Sequence, residues 1–276
     1  MAAALALAGA LSWGIGDFFG GLAARRLAVL TVLVVSQAIG LLGVLLWAVL
    51  QGDSFPGVIE LLPAVGAGIA GLVGLAALYR GLAIGAMGIV APISAASPVV
   101  PLTVDAARGV YPSGLQWLGI ALVLAGITAL SWEPGSDTSR FAAGAGLAVV
   151  AALGFGSFIV GIDAAADESA SWAIVFSRSA SVGLALAAAL LTARSLRPPA
   201  SLLPMLVAVG LFDTGANVLV ALATTHGAAG IVAVLSALYP VATIALARVV
   251  LGERLSAARR GGGASALAGA ALVAVG

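Results

Sequence analysis

The chain contains no cysteine, no lysine and a single histidine, His226. Without cysteine there is no disulfide framework, no thiolate nucleophile and no thiolate metal site, and one histidine cannot build a multi-histidine centre, so neither metal nor cofactor is expected. A Walker A lysine is impossible, so ATP bound to this chain cannot power its work. Charged residues are also scarce, at 8% of 276 with a net charge of +1. That leaves no cation-rich face for a nucleic acid. The twelve basic residues are all arginine, which reads with the abundance of alanine and glycine as coding bias more than chemistry. No basic n-region precedes the first apolar block, which carries Trp13 and Asp17 and reads as a retained helix rather than a cleaved signal.

What remains is apolar. Hydrophobic residues make up 62% of the chain, against about half in soluble proteins, and they come in blocks of about 20, the length of a membrane-crossing helix. Alternating ten-residue strands are absent, which excludes a β-barrel. The fold class is therefore an all-α integral membrane protein, multi-pass, in the inner (plasma) membrane, with the lipid bilayer as its surroundings. Polar breaks give ten candidate spans, at residues 3–23, 29–50, 61–81, 86–105, 115–132, 141–162, 170–192, 202–222, 228–249 and 262–276.

The stretch from Gly88 to Pro98, GIVAPISAASP, returns 142 positions later from Gly230 to Pro240 as GIVAVLSALYP, with seven of eleven residues identical. The chain is a duplication. Leu11, Trp13 and Gly14 find counterparts at the same offset in Leu153, Phe155 and Gly156, and Leu61-Leu62-Pro63 matches Leu202-Leu203-Pro204 one residue out of step. The copies, residues 1–135 and 136–276, meet at the solvated connector from Glu133 to Arg140. Five spans per copy is an odd number, so the second must cross the membrane upside down. This is the inverted-repeat plan of transporters, with a site near the midplane where the copies face each other. The loop arginines lie almost all on one face and only Arg108 on the other, which by the positive-inside rule puts both termini outside.

Intramembrane charges mark candidate sites because each is costly in hydrocarbon. Asp17, Arg178 and Asp213 are the strong cases. Trp13 and Asp17, like Asp213 and Asn217, are i, i+4 neighbours on one helix face, and an aromatic surface beside a carboxylate suits an ammonium-bearing solute. The alternative is a structural Arg178–Asp213 ion pair, or one that couples transport. His226, at a helix end, reads as a cap more readily than as a proton relay. The repeated stretch supplies Ser94, Ser97, Pro98, Ser236, Tyr239 and Pro240. A membrane proline frees a carbonyl one turn earlier, which nearby hydroxyls or a substrate can take. Gly66-Ala-Gly68-Ile-Ala-Gly71 mimics a dinucleotide fingerprint, but it sits inside an apolar span with no preceding strand. Gly154-Phe-Gly-Ser157-Phe lacks the last glycine of a nucleophile elbow, so a hydrolase is not indicated.

Ala10-Leu-Ser-Trp-Gly14, the internal repeat and Gly252-Glu-Arg-Leu-Ser256 together resemble the drug/metabolite transporter superfamily. Within it, the chain is similar to EamA-type members near the YddG-type aromatic amino-acid exporters. The resemblance implies ten helices around a central cavity lined by the first, third, fourth, sixth, eighth and ninth. It also implies export of amino acids, aromatic ones included, or related metabolites by alternating access, active or facilitative, with multidrug export of organic cations as the alternative. It would line the cavity with Trp13, Asp17, Tyr79, Ser94, Ser97, Ser157, Asp213, Asn217, Ser236 and Tyr239, in a monomer or homodimer. Both termini are then expected in the cytoplasm, against the arginine count. The first copy reads Gly109-Val-Tyr-Pro-Ser113 where the second has the loop motif, so the loop glutamate survives only as Glu253.

Overall fold

In hydrocarbon every backbone N–H and C=O must be paired within the chain, and long apolar segments achieve this as helices. The computed structural model of the protein describes residues 1–84, 93–131, 139–192, 196–251 and 256–276, and the regular elements among them are helices. They are α1 (Ala2–Ala24), α2 (Val29–Gln51), α3 (Leu62–Ile84), α4 (Val99–Ala107), α5 (Gly114–Ser131), α6 (Ser139–Leu191), α7 (Leu203–Thr224), α8 (Ala229–Ser236), α9 (Tyr239–Leu251) and α10 (Ala257–Val275), with a 3-10 turn at Ala200–Leu202 before α7. Among the described residues, five stretches are long and apolar enough to cross a membrane: Ala2–Ala24, Val29–Gln51, Gly144–Leu191, Ala200–Thr224 and Ala229–Leu251. The protein is a multi-pass membrane protein.

Local chemistry sets the helix ends. α2 stops at Gly52, whose φ of 69° lies in the left-handed region that glycine adopts without strain. α5 opens on a reciprocal cap, in which Gln116 N donates to Ser113 Oγ at 3.2 Å and Ser113 N to Gln116 Oε1 at 2.9 Å. The expected sixth and seventh spans run on as α6, kinked where Ser169 takes extended backbone. The Ser169 hydroxyl accepts from Trp172 N at 3.3 Å and caps the second arm. The expected ninth span is broken instead. α8 ends at Ser236 and α9 begins at Tyr239, next to Pro240, which has no N–H to continue the ladder. In the first copy Pro98 occupies the N-cap of α4. Residues 85–92, the connector at 132–138 and the Glu253 loop lie outside the described residues.

Contacts divide the molecule into two ends. Gly227 packs near Ala2 and Gly276 against Ser113, so the termini and the loops after α4 and α7 share one end. Three polar links join the copies there. Asp53 accepts from Ser171 Oγ, and its carbonyl accepts from Trp172 Nε1 at 3.2 Å. Asp105 Oδ2 accepts from Gly230 N at 2.7 Å, and Arg108 pairs with Asp163 at 3.0 Å. Arg25, Arg26, Arg197, Arg259 and Arg260 flank helix ends at the opposite, arginine-rich end.

Equivalent residues of the copies make reciprocal contacts. A Cβ on Gly14 would lie 2.7 Å from the Tyr239 carbonyl oxygen, and one on Gly156 would lie 2.5 Å from the Ser97 carbonyl oxygen. Both partners shift by the 142 residues of the repeat. In the same way Gly68 faces the carbonyl of Ser177, and Gly210 that of Ser36. α5 and α10 run antiparallel along a glycine seam, Gly119 against Gly269 and Gly126 against Gly262, each 2.6 Å from a carbonyl oxygen by the same measure. The largest apolar clusters sit between the terminal end and the middle. One gathers Ala6, Ala10, Leu102, Val232 and Val273, the other Ala48, Leu61, Ile162 and Ile174.

Candidate functional site

The site is built where α1, α2, α7 and the second arm of α6 meet. Gly16 of α1 leaves room for α7 to pass, since its Cβ would lie 3.3 Å from Asp213 N, and Ser12 Oγ donates to Phe212 O at 2.6 Å. This crossing puts Asp17 beside Asp213, within Coulombic reach of both Asp213 and Tyr239. From the other side Arg178 Nη2 approaches Asp213 Oδ2 at 2.6 Å. Arg178 Nη1 donates to Gln37 Oε1. The Nη2 contact is close enough for a strong charge attraction but fails the alignment of a hydrogen bond, so the pair is ionic first. Burial is unequal: the Arg178 side chain is 6% exposed and that of Asp213 32%. The guanidinium therefore lies behind and the carboxylate in front, with Gln37 buried beside the arginine.

What lies in front is read from one stripe of α1. Ala6, Ala10, Trp13, Asp17, Gly21 and Ala24 follow at spacings of three and four, so they share a face. Ala6 and Ala10 are buried, Trp13 is half-buried, and Asp17, Gly21 and Ala24 are exposed. This face is closed over its first half and open over its second, with a carboxylate at the transition, which is what a cavity bordered by α1 would require. The broken helix repeats the gradient: seven of the eight residues of α8 are buried, and none of α9. Cysteines at Gly21 and Ala24 are expected to react with a small aqueous maleimide, while cysteines at Ala6 and Ala10 stay inert. The chain has no thiol of its own, so intact-mass measurement reads this directly. Equal reactivity of all four would remove the cavity from this face.

The predicted residues divide accordingly. Asp17, Trp13, Asp213, Asn217 and Arg178 gather around the α1–α7 crossing, with Asn217 buried one turn beyond Asp213. Tyr239 and Pro240, half-buried, start α9. Thr243 Oγ1 lies 3.1 Å from both Tyr239 O and Gly14 O, so this carbonyl already has a donor from its own helix. Ser94 and Pro98 are buried and Ser97 half-buried, and Ser236 is 1% exposed with no hydrogen-bond partner for its Oγ. Ser157 sits elsewhere, continuing the exposed stripe of Val150 and Leu153 on the outer side of α6. His226 is exposed at the end of α7, its Nδ1 2.8 Å from both Leu222 O and Thr225 Oγ1. The side chain of Tyr79 lies outside the described residues. Gln37 is the member that charge counting misses. Its signal is a polar residue in the middle of an apolar span, 141 residues before Arg178, the offset that relates Pro63 to Pro204.

A separate cleft of about 200 Å³ lies at the terminal end, lined by Leu102, Asp105, Tyr111, Gln116 and Ile231 among others, and holds none of the predicted site residues.

Comparison with known proteins agrees with this architecture. The model of the EamA-like transporter family matches twice, over residues 1–132 and 142–275. The chain is similar to a probable terminal-alkyne amino-acid exporter from Streptantibioticus cattleyicolor, 43% identical over 97 residues, which is 35% of this chain and 32% of that one. The match thus spans about a third of the relative's length. A protein solved by crystallography superimposes with a TM-score of 0.82 at 19% identity, over 99% of this chain and 96% of the other, a likeness of fold.

Proposed function

Because the chain belongs to the EamA-like transporter family and is a transporter rather than an enzyme, we propose that it exports small metabolites, above all amino acids including aromatic ones, by alternating access. Ten spans in two inverted repeats supply the moving parts. The antiparallel pairing of the equivalent helices α5 and α10, and the reciprocal crossings at Gly14 and Gly156, support that arrangement. The observation that carries the reading is the Asp17–Asp213–Arg178–Gln37 cluster, set where the α1 face passes from buried to exposed. Three polar links hold the copies together at the terminal end, which is what one state of an alternating cycle requires. Asp17 and Trp13 hold the substrate's ammonium group between a carboxylate and an aromatic face, in a cluster formed where helices of the two copies meet, as the site of transporters of this plan is.

The same cluster favours one second reading. It contains two carboxylates and one guanidinium, and the surplus negative charge also suits an organic cation. Counterflow in proteoliposomes separates the two: preloaded amino acids should drive uptake of a labelled amino acid, and organic cations should compete weakly. Asp17→Asn is expected to lower exchange about tenfold, the equivalent of about 1.4 kcal/mol, with little change in melting temperature because Asp17 stands exposed. Unchanged exchange in that variant would remove Asp17 from the site.

A further inference from the structure

We propose that the Arg178–Asp213 ion pair is the receptor for the whole α-amino-acid head group, and that a zwitterion binds by inserting into it. The inference rests on the amino-acid reading above and adds the means of recognition. Asp213 occupies the place of a carboxylate on Arg178. Its side chain is the more exposed partner, while Arg178 is buried behind it and held at Nη1 by Gln37. The Nη2 group, close to Asp213 but off the axis of a hydrogen bond, is the donor that a better-aligned carboxylate would take.

Charge bookkeeping decides what can enter. Pulling the pair apart leaves two unpaired charges in a low-dielectric interior. A zwitterion repairs both at once, its carboxylate accepting from Arg178 and its ammonium donating to Asp213, with Asp17 next to it. No net charge enters or leaves, and both members of the pair keep a counter-ion. A simple cation can satisfy the carboxylates but leaves Arg178 without a partner, and a simple anion does the reverse. A site made of a pre-paired arginine and aspartate thus selects molecules carrying both charges a few bonds apart, and it selects the head group independently of the side chain. Gln37 is the positioning residue, fixing the guanidinium while its carboxylate partner is exchanged.

The test measures ligand-induced thermal stabilisation of the purified full-length protein. The probes are the twenty protein L-amino acids and, for the one giving the largest shift, its α-amide, which keeps the ammonium and lacks the carboxylate. The wild type should require roughly tenfold more amide than acid for half-maximal stabilisation, the worth of one charge-assisted hydrogen bond. In the Arg178→Gln, Asp213→Asn double variant, which removes both charges together, that preference should vanish. Gln37→Leu should weaken acid binding more than amide binding. If an amino acid binds and its amide binds equally well, or if the double variant keeps the preference, the insertion mechanism is overturned while the amino-acid reading stands. If no amino acid stabilises the protein, the reading itself falls and takes this inference with it.

Discussion

Asp213→Asn is expected to destabilise the fold by about 3 to 5 kcal/mol, the penalty for leaving one member of a buried ion pair alone. Arg178→Gln should be milder. The asymmetry follows from burial: the arginine side chain is 6% exposed and the aspartate 32%, so a stranded Asp213 regains solvation more readily than a stranded Arg178. The double replacement leaves two amides able to bond each other and should recover most of the loss. Melting temperatures of the two single variants and the double variant, in one detergent, give the interaction energy of the pair. Additive effects would mean that the 2.6 Å contact contributes nothing to stability.

Replacing Gly126 or Gly262 by leucine should also be damaging, for a different reason. Each glycine lets α5 and α10 meet backbone to backbone. A Cβ on Gly126 would lie 2.6 Å from the Gly262 carbonyl oxygen, and one on Gly262 would lie 2.7 Å from that of Gly126. No rotamer change relieves a clash with a main chain, so the helices must separate along their length, and about 3 kcal/mol is expected, the upper range for overpacking. Gly183→Leu is the control, because a side chain there meets nothing within 4 Å. Size-exclusion profiles should show monodisperse protein for the control and aggregate for the seam variants. If the seam variants elute like the wild type, the close approach is not what holds α5 to α10.

Much of this architecture is legible in the residues themselves, because the duplication copied the structural glycines and prolines along with the apolar blocks. Pro240 marks the break between α8 and α9, and Gly14 with Gly156 marks a reciprocal crossing. The intramembrane charges were equally legible, since Asp17, Arg178 and Asp213 stand out in spans that otherwise lack ions. What the chain does not reveal is partnership. Gln37 carries no charge and passes for a tolerated polar residue until the fold brings it to Arg178. Ser157 is expected in the cavity only through the family resemblance, and it stands exposed on α6 beside Leu153; a rotation of one residue is below what an apolar pattern can define. The loop contact of Asp53 with Ser171 and Trp172 joins residues 118 and 119 positions apart, and no periodicity encodes it.

The seam between α5 and α10 also fixes a timetable. Gly126 and Gly119 emerge from the ribosome before their partners, Gly262 following Gly126 by 136 residues and Gly269 following Gly119 by 150. At about 5 to 20 residues per second, α5 waits roughly 7 to 30 s for its partner. During that interval its small-residue groove faces lipid, or whichever neighbouring helix reaches it first. The first copy therefore cannot finish assembling on its own schedule: its fifth helix is reserved for the fifth helix of the second copy.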